Sequence, residues 1–264
     1  MRVHLDFETF SSVDLKKHGL ARYLEAPDFQ VLLTALSLED GSVLQWEGFP
    51  RFLGHLARDP RVHIHAFNAP FERGVMRRYG CEVPLSRWRC NMVHAYSRGF
   101  AGHMKDVGSA LGIDNAKLDS GTRLIRKFCM PRKPSKNNPA TRWTRETAPA
   151  DWQEFRRYNR VDVLAEREIY HRLQAWPMSP WEREGWEMDQ EINDRGVPVD
   201  VDMCRAAIAT AAAFQARYGQ EIEQITGGIK GTQVAELLGW LQERGYRGTD
   251  LRAETIRNQL ELHQ

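Results

Sequence analysis

The sequence has 264 residues, which is long for one ordinary domain and short for three. Hydrophobic residues make up 42% and charged residues 27%, a balance that supports a packed core and excludes a wholly disordered chain. The net charge of +2 excludes a uniformly basic nucleic-acid coat protein, and 20 Gly with 12 Pro exclude a collagen-like chain.

Positive charge is concentrated in one segment. Residues 121–160 carry eleven basic and three acidic side chains, although the whole chain is nearly neutral. Such a segment indicates either a surface that faces a polyanion or a solvated basic loop, and charge does not decide between these interpretations.

The cysteine spacing and the pattern of apolar residues predict a cytoplasmic protein. The four cysteines show no CxxC or CxxH spacing, which favours reduced thiols over a zinc site or a disulfide framework. The first residues, MRVHLDFETF, lack the basic-then-apolar pattern of a signal peptide. No apolar run approaches the roughly 18 residues of a membrane helix, so we expect no membrane partner.

Strands and helices alternate over the first two thirds of the chain. In order, the patterns predict a strand over 1–10, a β-hairpin over 30–38 and 41–47, a helix over 50–58, a strand over 61–67, and helices from Pro70, over 105–111 and over 151–173. Residues 130–149 have no period and are rich in Pro, Lys, Asn and Thr, which predicts a long basic loop.

A domain boundary is expected where Pro177 and Pro180 interrupt the chain. Four helical patterns follow, over 181–194, 202–226, 232–244 and 251–263. We therefore predict an α/β domain over 1–178 and a helical segment over 179–264.

Two acids stand close together on the first predicted strand. Asp6 and Glu8 are two residues apart, so both carboxylates lie on one face, roughly 6–7 Å apart along the strand. This pattern indicates either a solvent-facing edge strand or a site where a hard divalent cation such as Mg²⁺ or Mn²⁺ lies between the acids.

Two further sequence patterns contain an acidic residue that could be either functional or structural. Tyr158 and Asp162 are four residues apart on a predicted helix and therefore share one face. They are either a functional pair or a half-buried Tyr beside a surface Asp. Asn68-Ala69-Pro70-Phe71-Glu72 opens a helix after a strand. Glu72 in that first turn is also favoured by the helix dipole.

Taken in chain order, these three patterns resemble the DEDDy 3′–5′ exonucleases, specifically the proofreading domain of family A DNA polymerases of bacteriophage type. The segments that carry the resemblance are LDFETFS (5–11), FNAPFER (67–73) and YNRVDV (158–163), supported by LKKHGLARYLEAPDFQVLLTAL (15–36), LIRKFCMP (124–131) and WEMDQEINDRGVPVD (186–200). The last of these is similar to the segment that leads into such a polymerase domain.

The resemblance implies an α/β fold of the RNase H-like (DnaQ-like exonuclease) type, a mixed sheet flanked by helices. It also implies that Asp6, Glu8, Glu72 and Asp162 hold two divalent metal ions, Mg²⁺ or Mn²⁺. This chain departs from the family in having Glu72 where Asp is usual, and Phe67 where a His commonly precedes the motif Asn.

The same resemblance assigns roles to the acids. One ion, bound by Asp6, Glu8 and Asp162, would generate a hydroxide. The other, held by Asp6 with Glu72 acting directly or through water, would stabilise the leaving 3′-oxygen. Tyr158 would orient the attacking water, because a phenol that titrates near about 10 is a poor general base.

Substrate contacts are expected around the acids and along the basic segment. The residues around Phe7 and Thr9 would contact the terminal base and sugar, and Asn68 would position Glu72 or the terminal nucleotide. The remaining substrate-binding candidates are Phe71, Lys105, Arg132, Lys133, Lys136 and Arg142, and Trp143 is available for base stacking.

The expected activity is 3′–5′ exonuclease cleavage of single-stranded or mispaired DNA ends to nucleoside monophosphates, in a bacterial cell or phage-infected host. The roughly 85 residues after the boundary leave no room for a polymerase palm, so synthesis is not expected. RNA 3′-end trimming similar to ribonuclease D, or a non-catalytic single-strand-binding module that contacts replication proteins, are the alternatives.

One histidine pattern is set aside. His63 and His65 lie on one strand face and could suggest zinc, but no third ligand has suitable spacing. We expect them to pack or to line a polar surface beside the site.

Overall fold

The computed structural model describes residues 1–113, 121–136 and 139–261. The chain divides into two units, residues 1–196 and 197–264. The elements of the first unit are, in chain order, β1 (Arg2–Phe10), α1 (Leu15–Glu25), β2 (Gln30–Ser37), β3 (Val43–Glu47), α2 (Leu53–Arg58), β4 (His63–Ala66), α3 (Ala69–Arg78), β5 (Trp88–Cys90), α4 (Asn91–Ser97), α5 (Met104–Ala110), α6 (Gly121–Phe128), α7 (Pro149–Leu173) and α8 (Pro180–Arg195).

The five strands form one mixed sheet in the order β3-β2-β1-β4-β5. β1 pairs antiparallel with β2, which pairs antiparallel with β3, whereas β1–β4 and β4–β5 are parallel. The predicted α/β architecture with a mixed sheet and the predicted hairpin are confirmed. The sequence patterns missed β5, because three residues are too few to show alternation. They also missed α1, whose helical period is broken at Gly19, where φ is +77°.

Alternation divides β1 between two layers. Val3, Leu5 and Phe7 belong to the main apolar core, which also contains Val75 and Met76 of α3. The other face of β1 carries Arg2, His4, Asp6 and Glu8. An irregularity between Glu8 and Thr9 shifts the pairing register between β1 and β2 near the carboxyl end of β1. The core therefore fixes which side chains of β1 face α7.

Helix α7 aligns its side chains with that second face of β1. Its buried residues include Tyr158, Asp162, Glu166 and Tyr170, spaced four apart. A four-residue helical step rises about 6 Å, close to the ~6.6 Å of a two-residue strand step. The match appears as contacts: His4 Nδ1 lies 2.6 Å from Glu166 Oε2, and Arg2 Nη1 donates to the Tyr170 hydroxyl at 2.8 Å.

Helix α8 belongs to the first unit, which differs from the boundary predicted at 178/179. Trp186 is buried in the main core, and Arg73 of α3 donates to Gln190 and Asp194 at 2.6 Å each. The prolines begin α8 rather than separate domains, because Pro180 occupies its first turn behind a Ser179 capping box. The boundary between the two units follows Gly196, where φ is +73°.

The second unit consists of α9 (Val201–Thr226), α10 (Val234–Gln242) and α11 (Ala253–Glu261) in its described part. The predicted helices are thus present, and the last residues predicted for the final one, 262–263, lie outside the described residues. None of these three helices has a buried residue in the described chain. Among the helices described in either unit, none combines the length and apolar character needed to cross a membrane.

Candidate active site

Three of the four predicted acids are buried. Glu8 on β1, Glu72 in the first turn of α3 and Asp162 on α7 are 8%, 6% and 5% exposed, and Asp6 is half-buried. The structure therefore excludes a solvent-facing edge strand for Asp6 and Glu8, and it excludes a surface position for Asp162. Buried carboxylates require a proton, a hydrogen-bond donor or a cation.

Tyr158 lies among three of these acids. Its side chain is 1% exposed, and its hydroxyl interacts with the Asp162 carboxylate. Burial raises the pKa of Tyr158 far above the usual value for a phenol, and the negative charges of Asp162 and Glu8 raise it further. Tyr158 is therefore a neutral phenol at physiological pH, suited to orienting a polar group rather than to removing a proton.

Glu72 is a buried acid whose carboxylate is only partly compensated by its surroundings. Its Oε2 is buried and has no hydrogen-bond partner in the described structure. Burial raises the pKa of Glu72 well above its usual range, and the charge of Asp6 adds to the effect. The helix dipole at this first turn is too weak to offset the burial. This carboxyl needs a proton or a cation at neutral pH.

We expect Glu72→Gln to stabilise the metal-free protein at neutral pH by about 1 kcal/mol or more, because it removes an ionisable carboxyl whose burial is only partly compensated. The raised pKa means that the folded state keeps the proton longer than the unfolded state. Stability of the parent protein therefore falls as pH rises above the unfolded value of about 4.3. Urea unfolding in EDTA at several pH values measures this.

The gain should vanish below about pH 4, where Glu72 is protonated in both states. Glu82→Gln is the matched control, since Glu82 is 72% exposed and lies 3.6 Å from Arg77. It should change stability by less than about 0.5 kcal/mol. A Glu72→Gln protein that is less stable than the parent at pH 7 would contradict the unfavourable burial.

The structure adds three residues to the predicted site. Asn159 Nδ2 donates to Asp6 Oδ2 at 2.6 Å, and Gln45 Nε2 donates to Asn159 Oδ1 at 2.9 Å. Cys129 Sγ lies 3.6 Å from Glu8 Oε2, and burial followed by the charge of Glu8 raises the pKa of this thiol well above its usual value. Asn159 and Cys129 lie inside two of the recognised motifs, whereas no sequence signal marked Gln45.

The donor set suits hard divalent cations, which prefer carboxylate oxygens. The orphaned, buried Glu72 Oε2 is the observation that fits such a cation best. In the part of the chain that the structure describes, no group of three or more His, Cys, Asp or Glu side chains is already arranged to hold a metal ion.

The predicted nucleotide contacts near the acids differ in availability. The Phe7 side chain is buried in the core and stacks on Phe49 at 5.8 Å, which leaves only its backbone for a ligand. The Thr9 hydroxyl lies 2.7 Å from the Tyr23 hydroxyl. Phe71 is half-buried beside Tyr23, with ring centroids 6.2 Å apart.

Asn68 lies at the exposed amino end of α3, where its side chain makes no capping hydrogen bond. No hydrogen bond from Asn68 to Glu72 occurs in the described structure, so the expected positioning of Glu72 is not seen. The Asn68 carbonyl accepts from the Phe71 amide at 2.9 Å. The Asn68 side chain is thus accessible to a ligand.

Much of the basic segment is engaged within the fold. The Arg142 guanidinium lies 4.0 Å from the Phe10 ring centroid. Trp143 is contacted by Lys127 Nζ at 4.6 Å and by the Arg132 guanidinium at 4.8 Å. A stacked base would have to displace these cation–π contacts, so Trp143 is less available than the sequence predicted.

Ion pairs also reduce the charge of this segment. Arg123 pairs with Asp151 and Glu154, and Arg145 pairs with Glu47 and Glu146. Three of the predicted basic contacts are exposed and open to a polyanion: Lys133 and Lys136 in the loop, and Lys105 on α5. Helix α5 packs on the carboxyl-terminal half of α7, away from the half that carries Tyr158.

Together the fold and these side chains define an α/β protein with a buried, acid-lined site between β1, α3 and α7. No protein-family model matches the chain. It is 36% identical over 264 residues to a DNA polymerase of Bacillus phage SP02, an alignment that covers 97% of this chain. The chain spans 41% of the length of that polymerase. It is therefore a polymerase-related protein, similar to part of a phage enzyme.

Proposed function

We propose that the chain is a metal-dependent 3′–5′ exonuclease that hydrolyses DNA ends to nucleoside monophosphates, the activity of a proofreading domain. The observation that carries the proposal is the group of buried carboxylates around Tyr158, together with Glu72, whose Oε2 has no hydrogen-bond partner in the described structure. The similarity to a phage DNA polymerase supports DNA as the substrate and replication as the setting. The order of the mixed sheet supports an RNase H-like fold.

Asp6, Glu8, Asp162 and Glu72 would hold the divalent cations, Mg²⁺ or Mn²⁺. Such cations, when bound, activate water and stabilise the charge on a leaving oxygen. Tyr158, kept neutral by burial, orients the attacking water through its hydroxyl. Because its phenol does not ionise, it accepts no proton in the reaction.

Asn159 keeps Asp6 in place for this chemistry. Its amide donates to Asp6 Oδ2 and is itself held by Gln45, so this carboxylate oxygen is fixed in place. Burial of Glu8 and Asp162 keeps bulk water from screening the site. The protein thus contributes orientation and a low-dielectric environment.

The decisive experiment follows the length of a 5′-labelled single strand incubated with Mg²⁺ or Mn²⁺. We expect stepwise shortening from the 3′ end, which stops in EDTA, and faster cleavage of a mispaired end than of a paired end. Cleavage of RNA in preference to DNA would favour the RNA-trimming alternative. Binding of single strands without any metal-dependent shortening would identify a non-catalytic module.

Exposed lysines of the basic loop should guide the strand toward the acids. Lys133→Gln with Lys136→Gln is expected to weaken single-strand binding and to lower the slope of log K against log salt by about 1.4, at about 0.7 per phosphate contact. Fluorescence anisotropy over a salt series measures the slope. Arg61→Gln, at an 84% exposed arginine before β4, is the control, and an equal effect there would argue against a strand path along the loop.

A further inference from the structure

A second cavity lies apart from the acids, since none of the four lines it. It measures about 300 Å³ and is lined by residues of β1, β4 and β5, by the start of α4, and by α7, α8 and the segment between them. Arg2 of β1 borders it and is four residues from Asp6, about 13 Å along the strand. The volume is at the lower end of small-molecule sites, which span ~300–1,000 Å³.

Three ring nitrogens that border this cavity have no hydrogen-bond partner in the described structure: His63 Nδ1, His65 Nδ1 and Trp186 Nε1. His65 and Trp186 are 3% and 8% exposed. Buried polar groups of folded proteins are nearly always hydrogen-bonded. These three ring nitrogens can therefore bind a polar ligand in the cavity, beside the Asn91 side chain that contacts His65.

The charge that lines the cavity is positive. Arg89 donates to the backbone carbonyls of Ser86 and Trp88 at 2.8 and 2.7 Å, and none of the described carboxylates lies within ion-pair distance of it. Burial, followed by the neighbouring Arg183, lowers the pKa of Arg89 to about 10. Arg183 has a partner, Glu187, at 2.9 Å. Glu187 is also close enough to Arg89 to favour its charge, so the two guanidinium groups share one nearby carboxylate.

These charges exclude a cation as the natural occupant. Two neighbouring guanidinium groups would repel a zinc ion, so His63 and His65 do not form a metal site. Guanidinium groups instead match the oxygens of phosphate, which they bind in bidentate geometry. The walls also include the aromatic rings of Trp88, Trp186 and Tyr170, which favour a flat ring in the ligand.

We propose that this cavity binds a small phosphorylated aromatic compound of the nucleoside monophosphate class, at a site separate from the acids. Arg89 and Arg183 would hold the phosphate, and the aromatic walls with the unpartnered ring nitrogens of His63, His65 and Trp186 would hold the base. The proposal stands independently of the exonuclease activity, because none of the four acids borders the cavity.

The test uses the full chain in EDTA with ¹⁵N-labelled tryptophan. Deoxyadenosine monophosphate is titrated while the indole N–H signal of Trp186, assigned with Trp186→Phe, is followed by NMR. We expect that signal to shift in a saturable way. We also expect Arg89→Gln to weaken binding by about tenfold or more, the contribution of a charge-assisted hydrogen bond.

The controls separate this site from the acids and from folding. Asp6→Asn and Arg172→Gln, an exposed arginine on α7, should bind the nucleotide as the parent does. If Arg89→Gln does not fold, Arg183→Gln takes its place and should show the same loss. Deoxyadenosine and inorganic phosphate should each bind more weakly than the nucleotide.

Three results would overturn the proposal. The first is the absence of saturable binding at millimolar nucleotide. The second is a result in which Asp6→Asn loses nucleotide binding while Arg89→Gln keeps it, since the nucleotide would then occupy the acid site. The third is equal affinity for inorganic phosphate and nucleotide, because the aromatic walls would then contribute nothing.

Discussion

Asp6→Asn and Asp162→Asn are each expected to reduce mononucleotide release by roughly a thousandfold, since cations in such sites contribute several kcal/mol to the stabilisation of the transition state. Both substitutions keep the side-chain volume and remove one negative charge. Neither should unfold the protein, because the carboxylates repel one another in the metal-free state. The free energy of unfolding in EDTA should be equal to or higher than that of the parent.

Two measurements separate lost chemistry from lost structure. Mg²⁺ should raise the melting temperature of the parent protein, because it binds only the folded state, and should raise that of either variant much less. Glu168→Gln on the exposed side of α7, where Glu168 pairs with Arg172, is the matched control and should keep full activity. Normal cleavage by Asp6→Asn would rule out the assigned role of the acid group.

Gly121→Ala is expected to impair cleavage although Gly121 carries no functional group. A Cβ built on Gly121 would lie 2.3 Å from Cε2 of Tyr158, closer than any normal contact. Tyr158 is fully buried beside Phe155 and cannot swing into solvent. The ring or α6 must shift, at a cost of about 1–3 kcal/mol for overpacking.

This variant is compared with Tyr158→Phe and with Gly185→Ala. Tyr158→Phe should slow cleavage while Mg²⁺ stabilises it almost as much as the parent. The double variant Gly121→Ala/Tyr158→Phe should be little slower than the slower single variant, because both act through one hydroxyl. Gly185 in α8 has open space around a built Cβ, so Gly185→Ala should be active and slightly more stable. Additive losses would show that Gly121 acts elsewhere.

Local patterns predicted the elements that carry the acids. Alternation identified β1 and therefore the shared face of Asp6 and Glu8, and the helical period placed Tyr158 and Asp162 on one face of α7. The Pro start of the next helix placed Glu72 in its first turn. These features depend on neighbours within a few residues, which is why sequence periodicity contains them.

Contacts between distant segments were decided by packing. The sequence offered Phe7 as a ligand contact, yet alternation on β1 turns its ring into the core. It offered Trp143 for base stacking, yet Lys127 and Arg132 contact that ring. It ended the first domain before α8, whereas Trp186 packs into that domain.

By itself, then, the sequence determined the order of the three acid-bearing motifs, their local geometry and the resemblance that links them to nuclease chemistry. Only the tertiary structure decided that Asn159 holds Asp6 across 153 residues, that one buried oxygen of Glu72 lacks a hydrogen-bond partner in the described structure, and that a second cavity faces Arg89. The physical reason is that burial and pairing depend on the matched steps of β1 and α7 and on the fit of helices against the sheet. No single segment of the chain contains that information.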